Sequence, residues 1–339
     1  MHLKYFIVLI LICVVIQACG KSSLPSTKLN YEHDQVKTIK TIDGNDLTFI
    51  FDRPLDDLKH PILLVVDGSG CLGWKHTGLN TLFQPSHDAS HIYSKVFVEK
   101  RGVSPDANNP KLCSEDFLRH YSIDQRVFDH LRVLQHLSKH AEWWNGELYI
   151  WGWSDGGDIA AQLTSYYPNV TKAVLGAMGG GYTMEEHFKN YWICAPDYFS
   201  GDGAEQERTK CINELSERFE DMLDNPTWKK SWSGADNSWK VWSTRLFSRL
   251  THLLKDNTTP ILIVHGAEDI NSTPVDSARR LIKELQDAEN EAFTYWEIPN
   301  MQHSMSSLPD DKNTLLEKAM LDWLFSSSLE KQPIPENLR

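Results

Sequence analysis

Three side chains in this sequence have the types and settings for nucleophilic chemistry, and each follows an apolar, strand-like run. Gly152-Trp153-Ser154-Asp155-Gly156-Gly157 comes after Leu148 to Trp151 and before Ile159, Ala160, Ala161 and Leu163 at helix-like spacing. A serine hydroxyl is a poor nucleophile unless it is exposed and a base can reach it. A tight strand-to-helix turn supplies the exposure, and glycines at 152 and 156 leave room for the neighbouring backbone. The helix after the turn aims N–H groups at the place where an oxyanion would form. Asp269 closes His265-Gly266-Ala267-Glu268-Asp269, directly after the run Ile261 to Val264. His303 lies in Pro299-Asn300-Met301-Gln302-His303-Ser304, after Phe293 to Ile298. Gly-x-Ser-x-Gly alone matches often by chance, so the weight rests on the strand before each of the three residues. His265 is a rival base, and Glu268 is the rival acid.

The elements that must position these residues can be read in order. Val36 to Ile42 and Leu47 to Phe51 flank Asp43-Gly44-Asn45, a hairpin pattern. Pro61 to Val66 reads as a buried strand ending at Asp67-Gly68-Ser69-Gly70, and Tyr93 to Val98 as another. A polar loop to about Tyr121 follows. Ser122 with Gln125 has capping-box spacing ahead of a helix faced by Ile123, Val127, Leu131, Leu134 and Leu137. After the strand at Ala173 to Leu175, residues 182–257 lose the strand pattern. Three helices are predicted there: one capped by Thr183 and Glu186, one marked by Ile212, Leu215, Phe219, Met222 and Leu223, and one by Leu246, Phe247, Leu250 and Leu254. Trp192, Trp228, Trp232, Trp239 and Trp242 all lie in this stretch. Most are expected to pack its own small core, and one or two to roof a substrate pocket. The alternation then resumes, with Thr273 and Pro274 opening a helix and Leu316, Ala319, Met320, Trp323 and Leu324 marking the last one. Strands alternating with helices predict an α/β fold with a mostly parallel central sheet covered on both faces. All C-terminal strand ends of such a sheet share one edge, where Ser154, Asp269 and His303 can converge.

The formal charge of −12 argues against nucleic acid as a partner. No metal-ligand cluster or phosphate loop is evident, so neither a metal nor a cofactor is expected. Lys4 precedes the apolar run Phe6 to Ile16, which ends at Ile16-Gln17-Ala18-Cys19. This resembles a bacterial lipoprotein signal over residues 1–18, with lipid on Cys19 and export to the periplasm or cell exterior. Residues 19–35 read as a polar tether, and 329–339 as a loose tail. Cys71, Cys113, Cys194 and Cys211 remain. Four cysteines allow three pairings, and proximity in sequence favours Cys71–Cys113 and Cys194–Cys211.

The order of nucleophile, acid and base with the Gly-Trp-Ser-Asp-Gly-Gly turn resembles the α/β-hydrolase superfamily, over about Val36 to Phe325. His265 precedes Asp269 and breaks that order. Asp67-Gly68-Ser69-Gly70 stands where the family has His-Gly and an oxyanion loop, with Asp67 departing from the histidine. Lys100-Arg101-Gly102-Val103-Ser104 resembles the family's Arg-Gly-x-Gly-x-Ser loop. The turn wording is similar to that of members hydrolysing small esters and amino-acid esters, including valacyclovir-hydrolase-like proteins. The resemblance implies a core of residues 36–181 and 258–328 with a helical lid at 182–257. It implies Ser154 as nucleophile, His303 as base and Asp269 as acid, with Asp197 in reserve. The backbone N–H groups of Asp155 and Ser69 would be the oxyanion donors. The expected activity is hydrolysis of carboxylic esters or small amides. An aminopeptidase would need lid acids for a free amine, with Glu185, Glu186 and Glu214 as candidates. A catalytically silent binding lipoprotein is the alternative from another class.

Overall fold

The computed structural model describes residues 30–83, 91–234, 236–270, 272–328 and 331–339. The expected signal segment and Cys19 lie outside the described residues. A sheet of eight strands runs in the order β1-β2-β4-β3-β5-β6-β7-β8. Its strands are β1 (Tyr31–Lys40), β2 (Asp46–Pro54), β3 (His60–Val66), β4 (Ser94–Val98), β5 (Trp144–Trp153), β6 (Val170–Gly176), β7 (Ile261–Gly266) and β8 (Phe293–Ile298). The β1–β2 hairpin is antiparallel and joins β4 antiparallel. Every pairing from β4 through β3 to β8 is parallel. The central strands are apolar on both sides because both faces are covered. Ile62, Leu64, Ile150 and Leu175 enter one hydrophobic layer, and Leu63, Val65, Trp151 and Val264 the other.

The helices in chain order are α1 (Glu115–His120), α2 (Ile123–His140), α3 (Asp155–Tyr166), α4 (Met184–His187), α5 (Ala204–Asp224), α6 (Trp239–Arg245), α7 (Thr251–Leu254), α8 (Val275–Asp287) and α9 (Asp310–Phe325). Ser122 caps α2 by accepting the Gln125 N–H, and Thr183 with Glu186 forms a full capping box on α4. Helices α4 to α7 fall between β6 and β7, and among the described residues that stretch adds no strand to the sheet. It has its own core around Phe188, Leu215, Phe219, Met222 and Trp242.

Several expectations need correction. Strand β1 begins at Tyr31, so the end of the expected tether belongs to the sheet, where a register shift between Glu32 and Gln35 lets this polar segment pair with β2. The expected loose tail is docked. Leu338 is buried, Gln332 accepts the Trp296 indole N–H at 2.9 Å, and Lys172 donates to the carbonyls of Trp323, Ser326 and Ser328 at the end of α9. The single helix expected over Leu246 to Leu254 is split, and only Thr251–Leu254 is helical. The loop expected before Tyr121 contains α1, capped by Ser114.

Candidate active site

Ser154 is held where the sequence places it, between β5 and α3. Its backbone has φ +56° and ψ −124°, an unfavourable region for a residue with a Cβ. Parallel-sheet bonding continues through this strain, because the Ser154 N–H donates to the Gly176 carbonyl at 2.8 Å. The two flanking glycines are required by close approach. A Cβ on Gly152 would overlap the Gly156 carbonyl, and one on Gly156 would overlap the Val66 carbonyl. The turn is therefore pressed between neighbouring backbones, and the hydroxyl has one open side.

Asp269 and His303 reach that side from the ends of β7 and β8. The His303 Nδ1 lies 2.7 Å from Asp269 Oδ2, and its Nε2 lies 3.0 Å from Ser154 Oγ. A carboxylate can only accept, so Nδ1–H donates to Asp269 and Nε2 is left to accept the serine hydroxyl. Asp269 is buried, and its other oxygen accepts the Thr273 N–H at 3.0 Å. The base loop is held by the indole N–H of Trp153, which donates to the His303 carbonyl at 2.8 Å. Serine, histidine and aspartate thus form one continuous chain of contacts, able to move a proton off the hydroxyl. The rivals stand aside. His265 is buried behind the acid loop, bonded to the Thr273 carbonyl at 2.8 Å and 3.9 Å from Asp269, and burial lowers its pKa. Glu268 and Asp197 are exposed.

A cavity of about 340 Å³ opens over Ser154 and His303. Ser69 and Asp155 line it from the core, and Trp192, Trp242 and Arg245 line it from the insertion. Two of the five insertion tryptophans thus face the cavity. Trp232 packs against Phe188 and Phe219, Trp228 lies under Arg119, and Trp239 under Lys230. Disulfides join Cys71 to Cys113 and Cys194 to Cys211. The first ties the Asp67–Gly70 loop to the connection before α1, and the second staples the insertion.

Sequence reasoning missed the charges beneath this cavity. Arg245 of α6 reaches Asp155 at 3.0 Å and Asp158 at 3.5 Å, and Tyr121 donates to Asp155 at 2.6 Å. Burial opposes ionisation of Asp155, but Arg245 and the Tyr121 bond together hold its pKa below the usual carboxylate value. Burial dominates at Asp158, only partly offset by Arg245, and pushes its pKa up to about 7. The legible trace was an aspartate directly after Ser154, in a turn with no nearby cation in sequence. Arg126 was missed too, although it falls on the apolar stripe of α2 beside Ile123 and Val127. It is buried and donates to the carbonyls of Asp67 and Gly68. Lys100 pairs with Asp67, the residue that departs from the family's histidine.

This fold is that of the α/β-hydrolases. A Bacteroides ovatus protein assigned as a dipeptidyl aminopeptidase IV is 18% identical with a TM-score of 0.56, over 88% of this chain and 36% of that one. The acylaminoacyl peptidase of Pyrococcus horikoshii is 13% identical with a TM-score of 0.56, over 90% of this chain and 44% of that one. Est1E of Butyrivibrio proteoclasticus is 14% identical with a TM-score of 0.55, over 85% of this chain and 96% of that one. The chain therefore spans less than half the length of the first two. Residues 173–329 match the model of the Prolyl oligopeptidase family, a stretch that holds Asp269 and His303 and begins after Ser154. No curated protein matches the sequence.

Proposed function

We propose that this chain is a serine hydrolase that cleaves carboxylic esters or small amides through an acyl-enzyme on Ser154. The observation that carries the reading is the unbroken contact from Asp269 through His303 to Ser154 at the mouth of a cavity. Ser154 Oγ attacks the substrate carbonyl carbon as its proton passes to His303 Nε2. The N–H groups of Asp155 and Ser69 donate to the oxyanion, and His303 returns the proton to the leaving alcohol or amine. Water then repeats the sequence on the acyl-enzyme. Asp269 orients the imidazole and stabilises its charged form. The cavity is near the lower end of the usual range of about 300–1,000 Å³, which favours a small acyl group. A fluorophosphonate probe should label Ser154 and leave Ser154→Ala unlabelled. An unlabelled wild-type protein would support a silent binding protein instead.

The aminopeptidase reading has its own support. The family match and two structural neighbours are named for peptidases. The acids first considered for an amine are engaged elsewhere: Glu185 with Lys189, Glu186 with Arg280, and Glu214 with Lys210. Asp158 stands on the cavity wall, but it lies 3.5 Å from Arg245 and burial pushes its pKa up to about 7, so it too is no free carboxylate for an amine. Turnover profiled across acyl esters and aminoacyl amides separates the two readings. We also propose that residues 1–18 are removed and that Cys19 carries lipid, anchoring the enzyme to a bacterial membrane on its periplasmic or outer side. Cys19→Ser should then move the protein out of the membrane fraction. Unchanged retention, with no lipid in the mass spectrum, overturns this.

A further inference from the structure

We infer that Arg126 of the core and Asp236 of the insertion are positioning residues that together aim the Ser69 N–H into the oxyanion hole. The inference rests on the acyl-transfer reading above. Ser69 sits between two peptide units. One carries the Gly68 carbonyl and the Ser69 N–H, the other the Ser69 carbonyl and the Gly70 N–H. Within a planar trans peptide the C=O and N–H point in opposite directions, so holding one end aims the other.

Both units are held, one by the Arg126 guanidinium and the other by the Asp236 carboxyl. Arg126 Nη1 donates to the Gly68 carbonyl at 3.0 Å and Nη2 to the Asp67 carbonyl at 2.6 Å. The Ser69 N–H therefore points away from Arg126. Ser154 is close by: Ser69 lines the cavity with it, and a Cβ on Gly68 would lie 3.6 Å from the Ser154 Cβ, which fits an N–H turned toward the reacting centre. On the next unit, Asp236 Oδ2 accepts the Gly70 N–H at 2.9 Å. With both planes fixed, φ and ψ of Ser69 are fixed as well.

The loop needs such holding. It contains two glycines, whose backbone is the freest of any residue, and an oxyanion donor helps only if it is aligned before the charge develops. Charge-assisted bonds are the strong kind available for this. One of the two comes from the insertion, so the donor is complete only while the insertion is seated over the loop. Substrate entry beneath the insertion and assembly of the hole are thereby coupled.

The test uses the full chain and an ester that the wild type turns over. Asp236→Ala should lower kcat about 10- to 100-fold with KM changed less than about threefold, a fraction of the loss from deleting a donor outright. Affinity for an alkylboronic acid, which forms a tetrahedral adduct on Ser154, should fall by the same factor as kcat/KM. Asp236→Asn keeps an acceptor and should recover most of the rate. Arg126→Lys should show the same split between kcat and KM. An Asp236→Ala enzyme with full kcat, or one altered only in KM, overturns the inference while leaving the triad standing. A wild type inert to esters and unlabelled by fluorophosphonate overturns the functional reading, and this inference falls with it.

Discussion

The sheet edge that carries Ser154, Asp269 and His303 and the insertion above it reach order by different routes. At the edge, Ser154, Asp269 and His303 each stand a few residues beyond a strand, and the parallel register brings the strand ends together. Little side-chain packing is needed there, because backbone bonds set the loops: Ser154 N–H to the Gly176 carbonyl, Val275 N–H to the Asp269 carbonyl. The insertion reaches the sheet's core through Leu250 and Leu254, and the rest packs on itself. Phe188 is packed by Trp192, Trp232 and Trp242 with ring centroids about 5 Å apart, and one disulfide closes the group. Two charged side chains tie the insertion to the edge, Arg245 to Asp155 and Asp236 to the Gly70 N–H, beside apolar contacts such as Val241 against Cys71 and Tyr121. A site built this way keeps its reacting groups on rigid scaffold and puts adaptable shape in a separately packed roof.

That contrast can be tested from its strongest consequence downward. Ser154→Ala and His303→Ala should each cut turnover by several orders of magnitude, the double variant should be little worse, and Asp269→Asn should be milder. All three should keep the wild-type circular dichroism and melting temperature within a few degrees, since each residue lies in a loop at the edge. If His303→Ala stays active while folded, the base is elsewhere, and His265→Ala is the next measurement.

The insertion should respond in the opposite way, through stability first. Replacing Cys194 and Cys211 by alanine opens a loop with a sequence separation of 17, worth about 3 kcal/mol on chain-entropy grounds. Hydrogen exchange should then rise across residues 184–254 while β5 to β8 stay protected. Uniform loss of protection would mean that the insertion and the sheet are one cooperative unit. Non-reducing peptide mapping checks the pairing itself.

A glycine at the edge should behave like a packing residue. Gly156→Ala forces a methyl into the Val66 carbonyl and should cost about 2–3 kcal/mol in urea unfolding. A neutral outcome would show that the turn can widen.

The smallest effect expected is pH-linked and sits where the two regions meet. The Asp158 carboxyl has its pKa raised from 3.8 to about 7 by burial, so the fold favours its neutral form. The stability it contributes is present at low pH and is lost as pH rises from about 4 through about 7. Asp158→Asn should therefore raise stability more at pH 8 than at pH 5, by ~1–2 kcal/mol after allowance for solvent screening. An equal effect at both pH values would mean that Arg245 already holds Asp158 ionised.

The resemblance to a known family singled out the loops of Asp269 and His303. Residue types and spacing were enough for the α/β alternation, the Ser154 turn and the caps at Ser122 and Thr183, and closeness in sequence favoured the two cysteine pairs. These depend on local backbone preference, on the period of apolar residues, or on closeness in sequence, and short-range physics makes them legible. The strand order, the docked tail at Leu338 and the break between α6 and α7 came only with the tertiary structure. So did the partners of Arg126, Arg245 and Asp236. Arg245 meets Asp155 across 90 positions, and Asp236 meets Gly70 across 166. A buried charge must find an opposite one, but nothing in its own neighbourhood says which. That choice belongs to packing, which brings the insertion down onto the sheet edge and so decides what surrounds Ser154, whose turn the local sequence had already marked.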